Sequence, residues 1–221
     1  MIGSAAIDPA RIAVALDVLD VPSALRLADE LVPLGVRWFK VGLDLWIHGG
    51  PDVVRALKDR GVRVFLDLKL HDIPHQVALA TAAAAQLGAE LLTIHASGGR
   101  EMIRAAVGAA GTTKILAVTV LTSLSAAEGE VARLAALAHG AGAHGVVCSP
   151  LEAAELRARY APPFLLVTPG IRPADASADD QQRTATPEAA IAAGSDLLVI
   201  GRPITGAPDP AAAVRRLMTE N

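Results

Sequence analysis

The chain has one cysteine, Cys148, in the apolar run Val146-Val147-Cys148, so an internal disulfide is excluded and the thiol reads as a small core residue. Aromatic residues are scarce, two Trp, one Tyr and three Phe, and the formal net charge is −3. A nucleic-acid groove built on phosphate neutralisation and base stacking is therefore not expected. Also missing is an uninterrupted apolar run. The hydrophobic fraction is 52% and the mean hydropathy +0.41, yet Asp, Glu, Lys or Arg breaks every apolar stretch well short of about 18 residues, so no membrane span is expected. The first residues, with Asp8, Pro9 and Arg11, lack a basic segment followed by an apolar one and do not read as a secretory leader, from which a cytoplasmic location is expected. Linkers, repeated blocks and low-complexity tracts are absent as well.

What is present is a regular alternation. At 221 residues one substantial core suffices, and residues 1–221 are read as a single domain. Runs rich in Val, Ile, Leu and Phe occupy 11–17, 36–41, 62–69, 91–95, 114–120, 145–148, 164–168 and 197–200. They begin about every 25 residues and alternate with helical periodicity, the pattern of parallel strands joined by crossover helices. Eight such units predict an α/β fold of the closed (β/α)8 type, a TIM barrel. The punctuation agrees. Ser149-Pro150-Leu151-Glu152 carries an N-cap, a first-turn proline and a capping-box glutamate, and Thr186-Pro187-Glu188 and Asp209-Pro210 repeat the cap and proline. Gly35, Gly61, Gly88 and Gly194 stand where a left-handed residue ends a helix. In the first helix Leu25, Ala28, Leu31 and Val32 form the stripe expected to pack on the sheet.

Charges gather at the strand ends. Side chains alternate along a strand, so Asp67 and Lys69 share the face opposite Val64, Leu66 and Leu68, and point toward the barrel axis; Asp72 follows at once. Asp17 ends the first strand with Val14 and Leu16 turned outward, and Lys40 follows Trp38 by two residues. Such groups converge either as a salt-bridge network bracing the mouth or as a functional site, and perturbed ionisable clusters favour the second. Asp17, Asp67, Asp72 and His71 have the chemistry of divalent-metal ligands, but two ammonium groups among the carboxylates supply positive charge and would repel a cation, so a metal-free site is expected. His71 and His75 read as polar residues of a loop and first helical turn. After the last strand, Gly201 lets an oxyanion approach the backbone and Arg202 offers forked donors, a weak phosphate signal strengthened by Arg172 and Gln181 on the neighbouring loop. That loop, 172–183, is the longest polar interruption and is read as a lid over the strand ends where barrel sites form, with a solvated surface excursion as the alternative. The fifth strand closes on Thr119, Thr122 and Ser123, hydroxyls able to bond a heterocycle or to serve as turn residues.

Asp67-Leu68-Lys69-Leu70-His71-Asp72-Ile73-Pro74 resembles the D-x-K-x-x-D signature of the orotidine 5′-monophosphate decarboxylase family. Ala15-Leu16-Asp17, Phe39-Lys40-Val41-Gly42, Val120-Leu121-Thr122-Ser123, Thr168-Pro169-Gly170-Ile171-Arg172-Pro173, Asp180-Gln181 and Ile200-Gly201-Arg202-Pro203 resemble that family in order, so the likeness spans nearly the whole chain. It implies a (β/α)8 barrel that converts orotidine 5′-monophosphate to UMP and CO2 without a cofactor. It also implies Lys69 as proton donor in a network with Lys40, Asp67 and Asp72, with Asp72 reaching the partner's site of a homodimer. Asp17 and Lys40 would address the ribose, Thr122 the pyrimidine, and Arg172, Gln181, Gly201 and Arg202 the 5′-phosphate. Two alternatives stand beside it. A metal-dependent sugar-phosphate decarboxylase, such as the 3-keto-gulonate 6-phosphate group, shares the barrel and the third-strand motif, although Lys40 stands where that group is expected to offer an acid. A non-catalytic nucleotide-binding protein would keep Arg202 and Gln181 without needing Lys69.

Overall fold

A computed structural model describes residues 7–17, 20–124, 127–172 and 184–218. Eight parallel strands close in chain order: β1 (Ile12–Ala15), β2 (Trp38–Val41), β3 (Arg63–Leu70), β4 (Leu91–His95), β5 (Lys114–Val118), β6 (Gly145–Val147), β7 (Leu165–Thr168) and β8 (Leu197–Ile200), with β8 pairing back onto β1. Each expected strand is found, but the first and fifth end earlier than expected. β1 stops at Ala15 and β5 at Val118, and beyond them Asp17 and residues 120–123 line the mouth of the barrel.

Among the described residues the helices are α1 (Val21–Leu31), α2 (Leu43–Lys58), α3 (Pro74–Gln86), α4 (Gly99–Ala109), α5 (Glu130–Gly140), α6 (Pro150–Arg159), α7 (Pro187–Ala192), α8 (Arg202–Thr205) and α9 (Pro210–Met218). α8 is a short extra turn between β8 and the last outer helix, which the eightfold sequence pattern does not contain. The helix ends form where the caps stand. Ser149 and Glu152 close a reciprocal capping box on α6, Thr186 and Asp209 cap α7 and α9, and Gly35, Gly61, Gly88 and Gly194 all take left-handed φ. The buried stripe of α1 is rotated from the expected one. Ala24, Leu27, Ala28 and Leu31 are buried, whereas Leu25 and Val32 are partly buried and pack at the edge of the core.

Two apolar layers result from strand alternation. Ile12, Val14, Leu16, Phe39, Val41, Val64 and Leu66 pack outward against the helices, in the cluster that also takes in Cys148. Ala13, Ala15, Phe65, Leu91, Leu116, Val167, Leu197 and Val199 fill the barrel itself. At Gly145 a Cβ would lie 2.4 Å from the Leu165 carbonyl oxygen, so only glycine permits the β6–β7 approach.

The opposite, N-terminal rim carries a repeated device. The residue just before a strand accepts the backbone N–H at the start of the previous one: Glu90 from Val64 (2.7 Å), Asp196 from Leu166 (2.8 Å) and His144 Nδ1 from Ile115 (3.0 Å). Lys58 and Arg157 pair with the two carboxylates. These bonds tie neighbouring strands at the end away from the charged mouth, in keeping with the stabilising role of that face in barrels. Among the described residues no helix is long and apolar enough to cross a membrane.

Candidate active site

The C-terminal mouth opens into a cavity of about 460 Å³. Asp17, Lys40, Asp67, Lys69, Thr122, Arg172, Gly201 and Arg202, all expected site residues, line it, as does Ser123. Lys40 rises from β2 and Asp67 and Lys69 from β3, immediately above Phe65 and the apolar barrel filling. The hydrophobic plug forms the floor and the charges lie on it.

The charges alternate along a chain of contacts. Asp17 Oδ1 accepts from Lys40 Nζ at 3.0 Å, Lys40 Nζ lies 3.5 Å from Asp67 Oδ2, and that same oxygen accepts from Lys69 Nζ at 2.8 Å. Asp67 and Lys40 are 8% and 7% exposed, so their interactions are little screened, whereas the Asp17 side chain is 56% exposed. Burial pushes the Asp67 carboxyl upward, but the Lys40 and Lys69 ammonium groups, with hydrogen bonds from Lys69 and Thr93, outweigh it and hold the group below the ordinary carboxylate value. Burial likewise disfavours the Lys40 cation, yet Asp67 and Asp17 together leave it more basic than usual. Both groups are charged at neutral pH.

The backbone under this chain is irregular where alternation leads one to expect a plain strand. Leu66 pairs with Leu92 and Leu70 with Ile94, so four steps on β3 face two on β4, and the segment carrying Asp67 and Lys69 bulges from the ladder. Lys69 has φ +51°, the one non-glycine residue among those described with positive φ, a conformation costing about 1–2 kcal/mol. Opposite the bulge stands Thr93, fully buried, which accepts from Lys69 N (2.9 Å) and donates to Asp67 Oδ1 (2.9 Å). In the sequence Thr93 carries only a faint signal, a threonine on the inward face of the apolar stretch Leu91–Ile94.

Other residues fall differently. Asp72 does not line its own chain's cavity; it is exposed, and its Oδ1 accepts from the neighbouring Ile73 N (2.6 Å). Thr119 spends its hydroxyl on the Val147 carbonyl (3.0 Å), a structural bond. His71 is exposed and its ring lies 5.4 Å from that of His95 at the end of β4. Burial first, then His71 and Lys69, keep His95 less basic than usual. Arg172 is buried, with its N–H on the Ala185 carbonyl (3.0 Å). Gln181 and all of the expected 172–183 lid except Arg172 fall within 173–183, outside the described residues. A Cβ on Gly42 would come within 2.9 Å of Asp17 Oδ1 and 3.0 Å of Lys40 Nζ, so this glycine makes room for the ion pair. Among the described residues no three His, Cys, Asp or Glu side chains group as a metal site would require.

Such a site can hold an anion at its Arg172–Arg202 side and stabilise negative charge developing beside a fixed ammonium, with the Asp67 carboxylate holding that ammonium in place. Comparison with known proteins points the same way. A family model described as Orotidine 5′-phosphate decarboxylase / HUMPS family matches residues 10–217. Orotidine 5′-phosphate decarboxylase of Thermobifida fusca is 54% identical over 96% of this chain and 95% of its own length, and that of Anaeromyxobacter sp. (strain K) is 52% identical over 94% and 96%. Among solved structures, orotidine 5′-phosphate decarboxylase from Lactobacillus acidophilus superposes with a TM-score of 0.80 at 38% identity, covering 93% of this chain and 96% of that one. The enzyme from Pyrococcus horikoshii gives 0.78 at 27% identity over 94% and 97%.

Proposed function

Since the chain belongs to the orotidine 5′-phosphate decarboxylase / HUMPS family, we propose that it is a carboxy-lyase converting orotidine 5′-monophosphate to UMP and CO2 in pyrimidine biosynthesis. The observation that carries the reading is the Asp17–Lys40–Asp67–Lys69 chain on the cavity floor, which ends in an ammonium group held at 2.8 Å by a buried carboxylate.

Breaking the bond between C6 of the pyrimidine and its carboxylate releases CO2 and leaves the electron pair in the ring plane, where the π system cannot delocalise it. Stabilisation must then be electrostatic. Lys69 Nζ, fixed beside C6, lowers the energy of that pair and transfers its proton to C6 to complete UMP. Asp67 orients Lys69; Lys40 balances the Asp67 charge and, with Asp17, addresses the ribose. Thr122 bonds the pyrimidine. Arg172, Gly201 and Arg202, with Gln181 from the loop after β7, take the 5′-phosphate, and binding energy spent there can be realised at the reacting carbon. No cofactor enters these steps.

The proposal includes a homodimer in which Asp72 serves the partner's site. Its support is the exposure of Asp72 next to Ile73 (63% exposed), together with the exposed apolar side chains of Leu79 on α3 (53%) and Ile47 on α2 (79%), the kind of side chains a partner covers. A cytoplasmic location completes it, to which the lone buried Cys148 is suited.

The deciding experiment follows the absorbance change as orotidine 5′-monophosphate becomes UMP, on EDTA-treated protein, with Lys69→Ala alongside. Metal-independent turnover is expected in the wild type. The variant should fold and lose it, by several orders of magnitude. Substantial decarboxylation by Lys69→Ala removes that residue from its role, and an inactive wild type redirects the search to sugar phosphates with Mg²⁺.

A further inference from the structure

We propose that Thr93 is a positioning residue for the decarboxylation: its hydroxyl, set opposite the β3 bulge, locks the Lys69 backbone and the Asp67 carboxylate into one unit and so aims Lys69 Nζ. The inference rests on the decarboxylase reading and deepens it.

A hydroxyl has one proton to give and lone pairs to receive. Thr93 uses both functions at once, accepting from Lys69 N and donating to Asp67 Oδ1, each at 2.9 Å. The other Asp67 oxygen receives Lys69 Nζ at 2.8 Å. Lys69 is thereby held at both ends, its amide by Thr93 and its ammonium by Asp67, and the two holders are bonded to each other. Any rotation that carried Nζ away from Asp67 would leave the closed circuit strained at a second point. Thr93 does not line the cavity, so it acts through Lys69 and Asp67 and not on the substrate.

The bulge explains why a hydroxyl is needed there. With four β3 steps facing two on β4, the Lys69 N–H is turned out of the strand ladder toward the fully buried Thr93 hydroxyl, in a partly buried setting. A buried donor without a partner is costly, and the positive φ of Lys69 persists only where its surroundings enforce it. Thr93 supplies that partner from a rigid place: its side chain is fully buried, β-branched and mounted mid-strand on β4. Valine has nearly the same shape without the hydroxyl; serine keeps the hydroxyl and loses a methyl.

The test compares wild type, Thr93→Val and Thr93→Ser in two readouts. For turnover of orotidine 5′-monophosphate, Thr93→Val should lower kcat by about 100-fold, the scale of a small misplacement of a reacting group, with KM little changed. Thr93→Ser should stay close to wild type. The second readout needs no substrate. With 15N-lysine labelling only Lys40, Lys58, Lys69 and Lys114 contribute backbone amide signals. The Lys69 amide should be protected from exchange in wild type and Thr93→Ser and exchange readily in Thr93→Val. The Lys114 amide, bonded to the Glu90 carbonyl, reports the intact barrel in all three. Wild-type kcat in Thr93→Val, equal impairment in Thr93→Ser, or retained Lys69 protection in Thr93→Val overturns the proposal. A wild type without turnover would overturn the functional reading and the catalytic half of this one, while the exchange data would still decide whether Thr93 anchors Lys69.

Discussion

Asp67→Asn removes one negative charge from between two ammonium groups while keeping the side chain's size and its ability to accept a hydrogen bond. At 3.5 Å and an effective dielectric constant of about 20, the gross Lys40–Asp67 attraction is about 5 kcal/mol. Part of this is recovered, because the carboxylate no longer has to be buried and because Lys69, with 30% of its side chain exposed, can turn toward water. Lys40 has no such outlet: it is 7% exposed, and its remaining partner, Asp17, is largely solvated and worth little. Stripping one partner from a buried pair costs about 3–5 kcal/mol, and the Lys69 outlet sets the expectation at the low end, about 3 kcal/mol. In a chain of this size that corresponds to a fall of about 6–12 °C in Tm. The pH dependence has a definite sign. Asp67, held below its ordinary value of 3.8, contributes stability above that pH and loses it as pH falls through its lower folded value; Lys40, raised above 10.5, contributes below that pH and loses it as pH rises further. The wild-type advantage should therefore be flat between about pH 4 and 10. Urea melts followed by Trp38 and Trp46 fluorescence would measure it, in a cycle with Lys40→Met. Once Lys40 is apolar, Asp67→Asn should cost about 2 kcal/mol less than it does alone. Equal costs in the two backgrounds, or an Asp67→Asn protein as stable as wild type, would refute the argument that Asp67 and Lys40 are coupled through burial.

Two further expectations concern the rim and the ion pair. Gly42→Ala places a methyl group within 2.9 Å of Asp17 Oδ1 and 3.0 Å of Lys40 Nζ; it should displace the pair and raise KM by about 10-fold with the barrel intact, the loss of about one charge-assisted hydrogen bond, read by steady-state kinetics and circular dichroism. His144 must be unprotonated at Nδ1 to accept the Ile115 N–H, and burial, aided by Lys114, keeps it less basic than its ordinary 6.5. Its contribution is present above pH 6.5 and is lost as pH falls through the lower folded value. His144→Ala should cost about 1 kcal/mol at pH 8 and progressively less toward pH 5, and a pH-independent cost would sink the assignment of that hydrogen bond.

Alternation of side chains is a local property of extended chain, so the inward-facing Asp67 and Lys69, the outward-facing Val14, Leu16, Val64 and Leu66, and the strand identities were all legible from spacing alone. Caps were legible for the same reason: Ser149 with Glu152, and Gly35 or Gly194 at a helix end, satisfy backbone groups within a few residues of themselves. Less was legible where a partner comes from elsewhere in the chain. On α1 the expected stripe packs on the core, but Leu25 and Val32 are only partly buried, while Ala24 and Leu27 are buried, a balance set by neighbours that a helical period does not contain. Glu90, Asp196 and His144 look like ordinary loop polars until their strands lie side by side. Thr93 is one threonine in an apolar strand until β3 bulges against it.

The sequence by itself determined the eight strand–helix units, the face each strand presents to the barrel and which charged side chains meet at its mouth, since period and punctuation follow from backbone geometry over a few residues. Only the tertiary structure decided the ordering of those charges into an Asp17–Lys40–Asp67–Lys69 chain, the left-handed Lys69 backbone, and the hydroxyl of Thr93 that ties them together. These depend on distances across neighbouring strands and on the burial of Lys40, Asp67 and Thr93, and such quantities exist only once the barrel has closed.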